Sequence, residues 1–297
     1  MYKELAIIAP TASGKTALSI DLAHKLDAII LSLDSLAVYK KIDIASAKPG
    51  LIERDGIVHF GIDCIYPNEI FDVIEFYEEY KKAKQYAQEH NKNLIIVGGT
   101  GFYLKALIDG LSKIPTISES TKKQVQNELL DLNGLYEKLY SLDEEYMKKI
   151  ASTDKYRIEK ASQIYFETKM TPTEYFLQNQ PEPLIHNLPI YEIQTDPDIL
   201  RDRIKQRTKI MLNDGLIDEV IALEKEYTRA PNCMNSIGIS ETFDYLDSKI
   251  NRDELENLIS IHTAQLAKRQ RTFNKSQFKN VNKAELKDMK EIILANY

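Results

Sequence analysis

Cysteine is scarce in this chain of 297 residues, which contains only Cys64 and Cys233, far apart and without paired spacing. Two isolated cysteines fit neither a disulfide framework nor a zinc site, because both need clustered cysteines or cysteine and histidine pairs. This scarcity indicates a reducing compartment, and we expect a cytoplasmic protein.

Long hydrophobic runs, internal repeats and low-complexity tracts are also absent. No apolar run approaches the roughly 20 residues that a helix needs to span a membrane. The first residues enter a predicted strand directly, so we expect neither a signal peptide nor a membrane partner. Apolar residues make up 43% and charged residues 28% of the chain. These proportions are typical of a globular protein with one or two domains.

An excess of basic residues is missing as well, since the formal net charge is −6. One segment differs from the rest of the chain. Between Gln265 and Lys283 there are six basic residues and no acid: Lys268, Arg269, Arg271, Lys275, Lys279 and Lys283. A local basic stripe matters more for nucleic-acid binding than the total charge. The same pattern is also typical of a solvated helix end, and the stripe alone does not decide between them.

The most specific local motif follows the apolar residues 5–8 and precedes an amphipathic helix. Its loop reads Ala9-Pro10-Thr11-Ala12-Ser13-Gly14-Lys15-Thr16. This is a phosphate-binding loop in which Ala9 replaces the first glycine of the usual G-x-x-x-x-G-K-[ST] pattern. In such loops backbone N–H groups converge on one concavity, and a lysine and a helix N-terminus add positive potential. The eight residues predict a di- or triphosphate site, with a magnesium ion on the Thr16 hydroxyl.

Two further predicted strands differ in the residues at their carboxyl ends. Residues 93–97 run into Gly98-Gly99-Thr100-Gly101, without the carboxylate that holds magnesium in an ATPase. Residues 28–33 end in Asp34, at the sheet edge where α/β proteins bind ligands. Asp34 is therefore a candidate magnesium ligand or base, and a helix cap is the alternative.

Strand and helix patterns alternate to about residue 110. The predicted strands are 4–9, 28–33 and 94–97, and the predicted helices are 15–26, 71–90 and 101–109. Residues 119 to about 180 are predicted to form helices only, followed by a strand at 188–193 and then helices to the end. Alternation predicts a parallel sheet covered by helices. We therefore predict an α/β, P-loop-type core from residues 1–114 and 186–297, with an all-helical insertion at 115–185.

The helix predicted around residues 198–212 carries a charge within its apolar stripe. Leu200, Ile204 and Met211 define this stripe, and Arg207 falls inside it. A charge on the inward face needs a partner, because burying it unpaired is costly. A bound phosphate, held in bidentate geometry, and an internal carboxylate are equally compatible with the pattern.

Five motifs are distributed over nearly the whole chain. They lie at residues 10–16, 34–49, 97–107, 203–220 and 265–273. Together they resemble the tRNA dimethylallyltransferases, also called tRNA isopentenyltransferases, of the bacterial type without a zinc finger. The chain departs from the family at Ala37 (usually Gln), Ile239 (Tyr) and Phe273 (Trp). Residues 154–157 keep only one of the family's usual two arginines, Arg157.

The resemblance implies transfer of a dimethylallyl group from dimethylallyl diphosphate to N6 of the adenosine at tRNA position 37, with Mg²⁺. It implies that Asp34 is the base and that Thr11, Lys15 and Arg207 act on the diphosphate. Residues 9–16 and Arg207 would bind this diphosphate. Contacts to the tRNA anticodon stem-loop would come from Asp34, Ser35, Leu36, Ala37, Thr100, Arg157, Asn235, Ser236, Ile237, Gly238, Ile239, Ser240, Lys268, Arg269, Gln270, Arg271, Thr272, Phe273, Asn274 and Lys275. We expect a monomer.

Two other functions remain compatible with the residues. In a P-loop nucleoside or nucleotide kinase, Lys15 would hold ATP and Asp34 would activate a hydroxyl. A non-catalytic P-loop RNA-binding protein would bind tRNA whether or not Asp34 is intact, and it would release no diphosphate.

Overall fold

A computed structural model describes residues 2–297 and contains a six-stranded sheet. The strands are β1 (Glu4–Ile8), β2 (Ala28–Leu33), β3 (His59–Phe60), β4 (Asn93–Gly98), β5 (Ile190–Gln194) and β6 (Asn282–Glu285). Their order is β3-β2-β4-β1-β5-β6, and every neighbouring pair is parallel. The predicted α/β fold with a parallel sheet is confirmed.

The helices follow the strands as crossovers or form separate groups. They are α1 (Lys15–Lys25), α2 (Val73–Glu89), α3 (Gly101–Asp109), α4 (Glu119–Glu128), α5 (Leu132–Leu142), α6 (Glu144–Met147), α7 (Lys155–Thr168), α8 (Pro172–Gln178), α9 (Pro197–Asn213), α10 (Leu216–Tyr227), α11 (Ile239–Leu246), α12 (Arg252–Gln277) and α13 (Leu286–Asn296).

Two strands were not predicted, β3 and β6, and the expectation that only helices follow residue 193 is wrong. The central strands β1, β2 and β4 are nearly continuous apolar runs with buried side chains, as expected when helices cover both faces of a sheet. By contrast, β6 lies at the sheet edge and reads Asn-Lys-Ala-Glu, with mostly exposed side chains. Its sequence therefore carries no burial pattern from which a strand can be predicted.

The chain divides into two compact units. One runs to Ile108 and resumes at Ile185, and the other is Asp109–Leu184. The chain returns to the first unit close to where it left, since the Ile185 N–H donates to the Leu107 carbonyl at 3.2 Å. The second unit has its own apolar cluster, which includes Leu135, Ile158 and Phe166. The boundaries predicted from the sequence, 114/115 and 185/186, stay a prediction of domain organisation.

The ends of the central strands determine where a ligand can bind. Ile8 of β1 and Leu33 of β2 are both in register with Gly98, the last residue of β4. A Cβ atom on Gly98 would collide with the Leu33 carbonyl, so this close approach requires glycine. Three loops, which begin at residues 9, 34 and 99, therefore emerge side by side at one sheet edge.

Candidate active site

The phosphate loop connects β1 to α1 through a backbone that bends into the left-handed region twice. Ala12 has φ 61° and Gly14 has φ 89°, and Gly14 is the N-cap of α1. Space also restricts Gly14, because a Cβ atom there would lie 2.7 Å from the Leu286 side chain. The departure at Ala9 is accommodated, since its methyl is fully buried and its N–H donates to the Gly98 carbonyl at 3.3 Å.

Lys15 is a half-buried cation beside this loop. Its Nζ lies 3.4 Å from the Pro10 carbonyl. Burial lowers the pKa of Lys15 to about 8, Asp34 opposes this shift, and the positive charge of Arg207 adds to it. Because desolvation disfavours the charged form, an anion that binds here would favour the protonated form and raise this pKa again.

Arg207 lies on α9 and faces the same loop. Its guanidinium donates to Thr11 Oγ1 at 2.9 Å and to the Ser46 carbonyl at 3.5 Å. Burial lowers the pKa of Arg207, and Asp34 partly opposes this shift. Within residues 2–297 Arg207 forms no ion pair with a carboxylate, so the structure does not support an internal salt bridge. A cation placed in this way is available to an anionic ligand.

Asp34 follows β2, and its two carboxylate oxygens differ in their surroundings. Oδ1 accepts from the N–H groups of Leu36 at 2.8 Å and Ala37 at 3.2 Å and so closes a turn; no helix of residues 2–297 begins here, and the helix cap considered from the sequence is wrong. Oδ2 has no hydrogen bond to any other described residue of the chain. One oxygen therefore fixes the side chain in place while the other is available to a ligand.

Two cavities meet at these four side chains, Thr11, Lys15, Asp34 and Arg207, which line both. The larger cavity, about 290 Å³, has an aliphatic wall formed by Ile204, Met211, Ile259 and Leu266. The smaller, about 70 Å³, is more polar and is also lined by Thr16, Ser19, Ser32, Lys48 and His59. The aliphatic wall and the residues Ser46, Lys48 and His59 were not predicted. Ser46 and Lys48 lie within the motif at residues 34–49, and this position was the only feature of the sequence that could have pointed to them as site residues.

Several residues predicted to contact tRNA line the larger cavity: Ser35, Leu36, Thr100, Asn235, Ser236, Ile237 and Gln270. Ala37 lines the smaller one. The side chains of Ile239 and Asn274, two further residues predicted to contact tRNA, are buried inside the protein, and their tRNA contacts stay a prediction. Ile239 packs in an apolar cluster, and Asn274 lies against Gly101. The N–H of Gly238 is occupied, since it donates to Glu241 Oε2 at 2.7 Å.

Gln270 lies beside the phosphate loop. Its Oε1 accepts from the Thr11 N–H at 3.0 Å. A Cβ atom on Gly99 would collide with its amide nitrogen, so the glycine leaves room for this side chain. Gln270 therefore links α12 to the loop, a contact that sequence reasoning missed because 259 residues separate the partners.

Most of the basic stripe lies on the last turns of α12. Lys268, Arg269, Thr272 and Lys275 are exposed on this helix, and Phe273 is half-buried. Lys268 and Arg271 line a groove of about 370 Å³ between α9 and α12. The same groove has Arg201 and Lys205 at its rim and an aliphatic floor of Leu200, Ile204, Ala264 and Ala267. Lys283 is separate from the stripe, because it lies in β6 and pairs with Glu192 at 3.2 Å.

Arg157 belongs to the second unit, where it is exposed on α7. Its N–H donates to Asp154 Oδ1, which caps this helix, at 3.0 Å.

No helix within residues 2–297 combines the length and the apolar character that a membrane span requires.

Comparison with known proteins identifies the family. The sequence matches the IPP transferase family over residues 37–277. It is 56% identical over 293 residues to the tRNA dimethylallyltransferase of Sulfurovum sp. (strain NBC37-1), covering 98% of this chain and 97% of that protein. It is 59% identical over 278 residues to the tRNA dimethylallyltransferase of Aliarcobacter butzleri (strain RM4018), covering 94% and 93%.

A solved structure gives the same result at the level of the fold. The tRNA delta(2)-isopentenylpyrophosphate transferase of Staphylococcus epidermidis superposes with a TM-score of 0.70 at 32% identity, covering 99% of this chain and 98% of that one. Sequence relatives that match nearly end to end, a family match over most of the chain and a shared fold agree with one another. The chain belongs to the IPP transferase family, whose members include the tRNA dimethylallyltransferases.

Proposed function

We propose that this protein transfers a dimethylallyl group from dimethylallyl diphosphate to N6 of the adenosine at tRNA position 37, next to the anticodon. One observation carries the proposal: a single cavity combines two half-buried cations, Lys15 and Arg207, with a carboxylate, Asp34, and an aliphatic wall. The cations suit a diphosphate, the carboxylate suits a proton acceptor, and the wall suits a short hydrocarbon group.

Lys15 and Arg207 would stabilise the leaving group. When the allylic C–O bond breaks, the bonding electron pair stays on the diphosphate, which therefore gains negative charge. Fixed cations in a buried site stabilise such charge far more than cations in water do. The Thr11 hydroxyl, which already accepts from Arg207, is placed to orient the guanidinium or to contact the diphosphate.

Asp34 would accept the proton that the adenine amine loses as its nitrogen bonds to the allylic carbon. This amine is a poor nucleophile because its lone pair is delocalised into the ring, so removing the proton assists attack. Asp34 Oδ2 is the acceptor that we assign, since Oδ1 is occupied by two backbone N–H groups.

Mg²⁺ would bind the Thr16 hydroxyl and the diphosphate oxygens. Within residues 2–297 no group of three or more His, Cys, Asp or Glu side chains is arranged to hold a metal ion. One protein hydroxyl together with diphosphate oxygens fits Mg²⁺, which commonly binds through few protein ligands, substrate phosphates and water. Bound there, Mg²⁺ would supply further positive charge to the leaving diphosphate.

The anticodon stem-loop of tRNA would supply the acceptor. A stacked adenosine cannot reach Asp34, so the base must swing out of its loop into the larger cavity. We assign the polar wall of this cavity, including Ser35, Thr100 and Asn235, to the flipped base. The cations of the α9–α12 groove and Arg157 of the second unit would bind the phosphate backbone. We propose a monomer, and a tRNA substrate supports a cytoplasmic location.

The decisive experiment is mass analysis of nucleosides from tRNA treated with the protein, dimethylallyl diphosphate and Mg²⁺. We expect one adenosine per tRNA to carry a dimethylallyl group, with release of one diphosphate. A parallel reaction with ATP and free nucleosides tests for a kinase. Consumption of ATP there, with unmodified tRNA in the first reaction, would replace this proposal with the kinase, and tRNA binding without either reaction would indicate a non-catalytic protein.

A further inference from the structure

We propose that Glu219 is a positioning residue of the diphosphate site, which it serves by fixing the backbone of residues 43–46 against Arg207. The inference rests on the proposed function, since it treats Arg207 as a ligand of the donor's diphosphate. Glu219 is on α10 and lines neither of the two cavities, so any effect on the reaction must pass through other residues.

The carboxylate of Glu219 accepts three consecutive backbone N–H groups. Oε2 accepts from Asp43 at 2.9 Å and from Ile44 at 2.7 Å, and Oε1 accepts from Ala45 at 2.9 Å. Burial raises the pKa of Glu219, while the three backbone hydrogen bonds act in the opposite direction. Because both oxygens are used, the side chain determines the direction in which this stretch of backbone runs.

The next residues form a wall shared by the two cavities. Ser46 lines both, and its hydroxyl donates to the Ile42 carbonyl at 2.5 Å. Lys48, whose side chain is almost fully buried, pairs with Asp43 at 2.7 Å and Asp63 at 2.5 Å. The segment is therefore held at both ends, by Glu219 before Ser46 and by Lys48 after it.

Arg207 is the side chain that depends on this wall. Its guanidinium has two hydrogen-bond acceptors within residues 2–297, the Thr11 hydroxyl and the Ser46 carbonyl. No carboxylate in this part of the chain pairs with it, so these two oxygens set its orientation. If the 43–45 backbone shifts, the Ser46 carbonyl shifts with it, and the cation loses the direction in which it meets a diphosphate.

Glu226 provides a matched control on the same helix. It pairs with Lys41 at 2.6 Å, and both side chains are half-exposed, far less constrained than Glu219. Glu219→Gln and Glu226→Gln make the same chemical change to residues seven positions apart. In Glu219→Gln an NH₂ group replaces one carboxylate oxygen, and because NH₂ is a donor it cannot accept the backbone N–H that faces it. Glu226→Gln loses only a solvent-exposed ion pair.

The experiment measures binding of inorganic diphosphate, in the presence of Mg²⁺, by calorimetry on the full chain, together with donor KM and kcat. We expect Glu219→Gln to weaken diphosphate binding by roughly tenfold or more, the scale of one lost hydrogen bond to a charged group. Donor KM should rise in parallel, and Glu226→Gln should match the wild type. Glu219→Asp keeps the charge but shortens the side chain, so it should also weaken binding, and it serves if Glu219→Gln does not fold.

A double-mutant cycle with Arg207→Ala separates positioning from general stability. If Glu219 acts through Arg207, Glu219→Gln should weaken diphosphate binding little further once Arg207 is absent, because coupled residues are non-additive. Additive effects, or folded Glu219 variants that bind diphosphate like the wild type, would overturn the inference. A wild-type protein that binds no diphosphate would instead overturn the proposed function, so the two failures are distinguishable.

Discussion

At the scale of single residues, Asp34 divides its two carboxylate oxygens between an observed structural contact and the proposed chemical task. Its Oδ1 closes a turn after β2, and its Oδ2 is available beside Lys15 and Arg207. The sequence presented these tasks as alternatives. In the described chain no helix begins directly after β2, so the helix cap is wrong; Oδ1 instead closes a turn, and this contact does not compete with the proposed base because each uses a different oxygen.

This division predicts different outcomes for two substitutions of Asp34. Asp34→Asn keeps an oxygen that can accept from Leu36 and Ala37, so thermal stability and tRNA binding should remain close to wild type. Turnover should fall by ~10² or more, the usual scale for a positioned general base. Asp34→Ala should lose turnover and also lower the melting temperature. Near-normal turnover in Asp34→Asn would remove Asp34 from the chemistry.

Lys15 predicts two opposite dependences on pH. The pKa of Lys15 in the folded chain, about 8, lies below its ordinary value. Between about pH 8 and 10 Lys15 is therefore protonated in the unfolded chain but largely deprotonated in the folded one. The contribution of Lys15 to the free energy of unfolding should therefore grow as pH rises through this window. Diphosphate affinity should fall over the same window, because the free protein loses the charge. Both trends should be compared with Lys15→Gln, which should show neither, and parallel curves for the two proteins would contradict the assignment.

At the scale of elements, α12 lines both the cavity beside the phosphate loop and the groove against α9. Gln270 contacts the phosphate loop, while Lys268 and Arg271 line the groove against α9. Neighbouring positions on one helix thus serve different ligands in the proposed function. Helical periodicity accounts for this difference, since residues one or two apart point in different directions.

Neutralising Lys268, Arg269 and Arg271 to Gln should weaken tRNA binding. The slope of log affinity against log salt should decrease by about one for each phosphate group that the variant no longer neutralises. Binding of inorganic diphosphate should not change. A control variant with Lys81 and Lys82 replaced on α2, where both pair with nearby glutamates, should leave the salt slope unaltered. An unchanged slope in the triple variant would exclude these cations from the RNA interface.

At the scale of the whole molecule, the chain leaves and re-enters the first unit at adjacent points, Leu107 and Ile185. Replacing residues 109–184 by a short glycine linker should therefore leave a folded core that still binds inorganic diphosphate. Activity on tRNA should be lost, because Arg157 and the rest of the second unit are removed. Circular dichroism, calorimetry and the nucleoside assay test the three parts, and full activity of the shortened chain would exclude the second unit from tRNA recognition.

The sequence was sufficient for those parts of the molecule in which the local pattern and the structural role coincide. The central strands are apolar because both faces are covered, and residues 9–16 form one continuous segment of loop and helix start, so both could be predicted. The polar edge strand β6 has no such pattern. Glu219 and Gln270 act on residues 174–176 and 259 positions away, and the burial of Asn274 depends on the packing around Gly101. Such relationships exist only in three dimensions.

The contact between Gln270 and Thr11 would link the two proposed ligands thermodynamically if tRNA binding moves α12. If tRNA shifts α12, the shift reaches the phosphate loop through the Thr11 N–H, which a diphosphate would otherwise engage. Linkage of this kind is reciprocal: any factor by which tRNA changes the affinity for the diphosphate is the factor by which the diphosphate changes the affinity for tRNA. One amide side chain would therefore couple the two proposed ligands without a separate effector site, and the sign of the coupling would depend on whether tRNA brings Gln270 closer to the Thr11 N–H or moves it away.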